Sequence, residues 1–141
     1  MTAETKPARK TLKIIIDSNA LFIPLQFNID IFEDLKRLLN RNFELILLSP
    51  IQQELQRIAN QGPPRMRKNA SYALKLAERC ELFEISKEAG SSTDDLIAQV
   101  AHKHNYPVFT NDRLLRNRLR DINVPVIYVR QKSHLEIDGR L

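Results

Sequence analysis

The chain has no tryptophan, one cysteine and three glycines in 141 residues. A lone thiol, Cys80, leaves no disulfide framework and no thiolate cluster for zinc. The glycines, at 62, 90 and 139, lie far from the first apolar run, so the glycine-rich turn that a dinucleotide-binding strand requires is missing. No stretch approaches the roughly 20 apolar residues that cross a bilayer, and the basic start MTAETKPARK is not followed by an apolar signal segment. With three scattered tyrosines and no tryptophan, no base-stacking platform is legible. These absences predict a soluble cytoplasmic protein without a membrane partner.

What is present suits one domain. The apolar fraction of 43% is enough for a sizeable core at this length. The net charge is +5, from 22 Lys and Arg against 17 Asp and Glu. Lys6, Arg9 and Lys10 outnumber Glu4 in residues 1–11, so the excess over the rest of the chain is small. Charge alone therefore points only weakly to a polyanion partner. Residues 1–11 contain Pro7 and lack apolar periodicity, and they are expected to form a mobile basic tail. The domain is expected over 12–130, with 131–141 as a polar C-terminal tail.

Strand and helix signals alternate through that domain. LKIIID, from Leu12, is β-branched and suits a strand buried on both faces. Residues 29–41 place Ile31, Leu35, Leu38 and Leu39 at helical spacing, and FELILL at 43–48 reads as a second strand. Ser49, Pro50 and Gln52 look like an N-cap, a first-turn proline and a capping-box partner for the next helix. After the QGPP break at 61–64 a helix resumes, followed by strand candidates at 81–86, 107–110 and 125–129. Helices are expected from Asp94 to about His104, with Ser92 or Thr93 as cap, and over 112–122. The alternation predicts an α/β fold, a three-layer α/β/α sandwich around a mostly parallel five-stranded sheet.

In open parallel sheets, sites form beyond the carboxyl ends of the strands. Asp17 and Asp112 follow two such ends, Asp94 opens a helix after a third, and Glu54 lies in the helix leaving the second strand. Carboxylates brought together must take up protons or bind a cation. An all-oxygen donor set favours Mg²⁺ or Mn²⁺. Such an ion activates water for attack on a phosphodiester.

IIDSNAL, ELQRI, TDDLIAQVA and VFTNDRLL, in that order, resemble the motifs of the PIN-domain nucleases across roughly residues 12–130. That family comprises magnesium- or manganese-dependent ribonucleases, including VapC toxins and endonucleases that mature ribosomal RNA. The resemblance implies one or two ions held by Asp17, Glu54, Asp94 and Asp112, with Asn19 and Thr110 in support. Glu54 could instead act through a bound water as general base. The expected partners are an RNA substrate and either an antitoxin protein or a ribosomal assembly, with a homodimer also compatible. A PIN-like module that binds RNA or protein without cutting is the alternative, and loss of an acid would mark it.

Two choices turn on helical geometry. Asp94 shares a face with Ile97, Ala98 and Ala101, whereas Asp95 precedes Gln99 and His102, so Asp94 is assigned to the metal and Asp95 to the helix dipole. Arg113, Arg116 and Arg120 recur at helical spacing and either line an RNA path or form a solvated basic face. Arg65, Arg67 and Lys68 pose the same alternative.

Overall fold

The computed structural model describes residues 11–141, so the expected tail lies, apart from Thr11, outside the described residues. The chain forms β1 (Leu12–Ile16), α1 (Ser18–Leu21), α2 (Ile23–Phe27), α3 (Ile31–Leu39), β2 (Phe43–Leu48), α4 (Ser49–Gln61), α5 (Pro64–Ala77) and β3 (Glu81–Phe83). It continues with α6 (Thr93–His104), β4 (Val108–Phe109), α7 (Arg113–Asp121), β5 (Val126–Arg130) and β6 (His134–Asp138). The sheet order is β3-β2-β1-β4-β5-β6, parallel except for β6.

The order explains where a site can form. From β1 the chain moves to β2 on one side, and from β4 it moves to β5 on the other. With right-handed crossovers, oppositely directed connections lie on opposite faces of the sheet and open a crevice between the carboxyl ends of β1 and β4. Ile14, Ile15 and Ile16 are fully buried in the central strand, as expected of a parallel strand covered on both faces. Leu45, Ile46, Leu47 and Leu48 of β2 continue the same core. None of the helices among the described residues is long and apolar enough to cross a membrane.

The sheet has six strands where five were expected, because residues 131–141 are not simply a polar tail. β6 pairs antiparallel with β5, with Leu135 buried opposite Val129. The hairpin turn has positive φ at both Gln131 (54°) and Lys132 (58°). That backbone suits asparagine or glycine, so a Gln-Lys turn gives no hairpin signal in the sequence. A related economy appears at helix ends, where Asn28, Asn40 and Asn105 take the left-handed cap position that glycine usually fills.

Ser49 does not cap α4. Leu48 is the N-cap, and the buried Ser49 hydroxyl donates to the Ile85 carbonyl and accepts from the Ile85 N–H, both at 3.0 Å. The side chain thus ties α4 to the chain leaving β3. After Asp17 the chain turns directly into the short helices α1 and α2.

Candidate active site

Asp17 lies one residue past β1, where the backbone is still extended and its N–H donates to the Phe109 carbonyl at 2.9 Å. The ladder of the central strand therefore holds this residue at the crevice. Its side chain caps α1. Oδ1 accepts from the Ser18 N–H at 2.8 Å, while Oδ2 accepts from Asn19 Nδ2 at 3.0 Å and from the Thr110 hydroxyl at 2.8 Å. Asp17 is 5% exposed and Thr110 fully buried.

The turn after β4 is built around the same hydroxyl. Thr110 Oγ1 accepts from the Asp112 N–H at 3.1 Å, and Asp112 Oδ1 caps α7 by accepting from Leu114 and Leu115. Asn111, which the motif reading passed over, locks the turn at both ends. Its N–H donates to Asn19 Oδ1 at 2.9 Å, and its Oδ1 accepts from the Val129 N–H at 3.0 Å. The only signal for it was its place between two recognised residues in TND.

α6 supplies the third acid. Ser92 and Asp95 form a capping box, each side chain bonded to the other's backbone N–H at 3.0 Å. Asp95 Oδ1 also takes a 2.6 Å ion pair from Arg118 of α7. Asp95 is thereby occupied, and Asp94 is left facing the other acids. Burial pushes the Asp94 carboxyl above its ordinary range, with the Asp112 charge adding to it and Arg118 opposing. Burial likewise raises Asp17, against the Thr110 and Ser18 hydrogen bonds and with the charges of Asp94 and Asp112. The Ser92 N–H and then Arg118 hold Asp95 below the carboxylate range.

A family profile described as a PIN like domain matches residues 14–132, which run from within β1 through the end of β5. The chain belongs to the PIN-like family. Ribonuclease VapC4 of Methanocaldococcus jannaschii is 31% identical over 127 residues, 90% of this chain and 97% of that protein. Ribonuclease VapC9 of Archaeoglobus fulgidus is 22% identical over 138 residues, 98% of each. Among solved structures, the PIN domain endonuclease Utp24 matches with a TM-score of 0.76 at 28% identity, covering 92% of both chains.

In this PIN-like domain the acids suit a hydrated hard cation better than a closed cage. Among the described residues no three His, Cys, Asp or Glu side chains stand close enough to hold one ion between them. The open donors are nevertheless all oxygens. An ionised carboxylate has about four lone-pair sites, and three donors engage Asp17, leaving it one. Asp112 Oδ2 is open, and no hydrogen bond engages the Asp94 carboxylate among the described residues. Mg²⁺ keeps several waters and takes one or two carboxylates directly, which fits this set.

Glu54 is not brought to the other three. It is exposed on α4 and paired with Arg57 at 2.6 Å, which holds its carboxyl below the usual range. An exposed pair of this kind is screened by solvent, so it is a weak restraint on the side chain.

Of Arg113, Arg116 and Arg120 on α7, two are engaged in packing. Arg116 lies over the Tyr128 ring at 3.7 Å, with Nε 3.7 Å from Asp138. Arg120 approaches the same Asp138 carboxylate at 3.7 Å and bonds Asn117. Arg113 is exposed and has no such partner among the described residues. Arg116→Ala is expected to lower stability by about 1–2 kcal/mol in urea unfolding. It should change RNA affinity less than threefold, and a larger loss of affinity without loss of stability would return Arg116 to an RNA path.

A cleft of about 1000 Å³ opens at the other end of the sheet beside Lys13, Glu44, Arg79 and Glu81 and contains none of these acids. An open rim rather than an enclosed pocket is what a polymer substrate needs.

Proposed function

We propose that this PIN-like chain is a divalent-metal-dependent endoribonuclease that hydrolyses RNA phosphodiester bonds. The supporting observation is the buried Asp17 carboxylate, held at the switch point and raised in pKa with help from the Asp94 and Asp112 charges. Both VapC relatives are called ribonucleases, and Utp24 an endonuclease. All four acids implied by the family resemblance are present, which favours an enzyme over a silent binding module.

In this reading Asp17, Asp94 and Asp112 hold one or two Mg²⁺ or Mn²⁺ ions, and Glu54 joins them after leaving Arg57. Bound there, the ion supplies a water of lowered pKa and positive charge for the leaving oxygen. Thr110 and Asn19 fix the Asp17 carboxylate and leave it one acceptor site for the ion. Glu54→Gln is accordingly expected to weaken metal affinity about tenfold, read as the Mn²⁺ concentration for half-maximal cleavage. An unchanged half-point would confine Glu54 to its pair with Arg57.

The direct test incubates the full chain with a panel of single-stranded and structured RNAs, with Mn²⁺ or Mg²⁺ and with chelator. Internal cuts that require added metal are expected. Cutting that persists in chelator would overturn the metal chemistry, and no cutting of any RNA in saturating Mn²⁺ would favour the binding module. A VapC-like toxin would copurify with a small antitoxin, while a processing nuclease would prefer a structured ribosomal fragment.

A further inference from the structure

Between Glu54 and Glu78 the chain has no acidic residue but five basic ones, Arg57, Arg65, Arg67, Lys68 and Lys75. These residues lie in the α4 and α5 pair, which pack on one another as a hairpin joined at Gly62 and Pro63. With Glu54 of α4 counted, this one structural unit carries +4 against the whole chain's +5. Arg57 is engaged by Glu54. Arg65, Arg67 and Lys68 are exposed in the first two turns of α5 and make no hydrogen bond or ion pair among the described residues.

That arrangement is unfavourable for the helix. Neighbouring cations repel, and they sit at the positive end of the α5 macrodipole with no acid in its first turn. α7 has the opposite economy, since Arg116, Arg118 and Arg120 are all paired with acids. The hairpin also belongs to the rim of the acid crevice. α4 leaves the carboxyl end of β2, and α5 packs on α1, the helix that Asp17 caps.

We infer that Arg65, Arg67 and Lys68 at the tip of the α4–α5 hairpin form a track for the RNA backbone, gripping phosphates of the strand whose scissile bond lies at the crevice. This rests on the ribonuclease reading above. Charge complementarity selects a polyanion, and the exposed apolar side chain among the three cations is Met66, not an aromatic ring. Recognition at the tip is thus of phosphates, with little dependence on base sequence.

The test titrates a fluorescently labelled 20-nucleotide RNA of mixed sequence with the full chain in chelator, following anisotropy at several salt concentrations. Arg65→Gln/Arg67→Gln/Lys68→Gln is expected to bind roughly tenfold more weakly at low salt, with the slope of log affinity against log salt reduced by about 2. Its melting temperature should hold or rise, because like charges at a helix N-terminus have been removed. An unchanged affinity and slope in a parent that cuts RNA with Mn²⁺ would overturn the track and leave the ribonuclease reading intact. A parent that binds through the tip yet cuts no RNA would keep the track and overturn the nuclease. Loss of binding to a polyglutamate chain, with RNA binding unaffected, would make the tip a dock for an acidic protein and reject the inference.

Discussion

Asp17→Asn is expected to lower metal-dependent RNA cleavage by on the order of 10³-fold while leaving the protein folded. The substitution keeps the side-chain volume, and the remaining oxygen can still accept from the Ser18 N–H. An amide group at the second position meets a Thr110 hydroxyl, which can turn to accept, and an Asn19 amide, which must turn away. Charge-assisted hydrogen bonds are lost, but so is repulsion from Asp94 and Asp112. These effects oppose each other, and the melting temperature should stay within roughly 5 °C of the parent. Single-turnover cleavage with Mn²⁺ beside a thermal melt separates chemistry from folding. A variant that cleaves within tenfold of the parent would remove Asp17 from the proposed centre.

Asp94→Asn and Asp95→Asn, at adjacent positions, should behave in opposite ways. The folded-state pKa of Asp94 is raised, so the folded chain binds that proton more readily than the unfolded one. Its ionised form therefore costs stability above the folded pKa, and the cost disappears as pH falls toward the ordinary carboxylate range. Asn mimics the protonated state. Without metal, Asp94→Asn should melt roughly 3 °C above the parent at pH 8, with the gap closing as pH is lowered. Added Mn²⁺ should raise the parent's melting temperature more than the variant's, and cleavage by Asp94→Asn should fall about 10²-fold or more.

Asp95 is depressed instead, so its contribution is present above the unfolded pKa and is lost as pH falls through the folded one. Asp95→Asn weakens the capping box and the Arg118 pair. It should melt roughly 3 °C below the parent at neutral pH and cleave within tenfold of it. Equal effects of the two substitutions on cleavage would contradict the division of labour between them.

The division was legible in the sequence because a helix converts spacing into direction. Asp94 shares a face with Ile97 and Ala101, which are fully buried, and that face points toward the core side of α6. β1 was equally plain, since three consecutive β-branched residues before an acid fit only a covered strand with an exit. The pairing of β6 was not legible, because a positive-φ turn made of Gln131 and Lys132 has no local signature. Ser49 looked like a cap by position, yet its hydroxyl bonds Ile85, 36 residues away. The α7 arginines looked free for the same reason. Asp138, the partner of Arg116 and Arg120, lies in a strand that periodicity did not reveal, and no helix-based pattern could pair them with it.

The Thr110 hydroxyl has a consequence for control. It bonds the Asp17 carboxylate and the Asp112 N–H at once, and the flanking backbone is pinned by the Phe109 carbonyl at Asp17 and by the Ile127 carbonyl at Thr110. Asp17 and the turn bearing Asp112 cannot loosen unless the middle of the sheet opens, which is the least accessible of local unfolding events. A folded but internally disarmed form of this crevice is therefore costly to reach. Restraint of the proposed activity is most readily imposed from outside, by something that covers the rim or competes for what binds there.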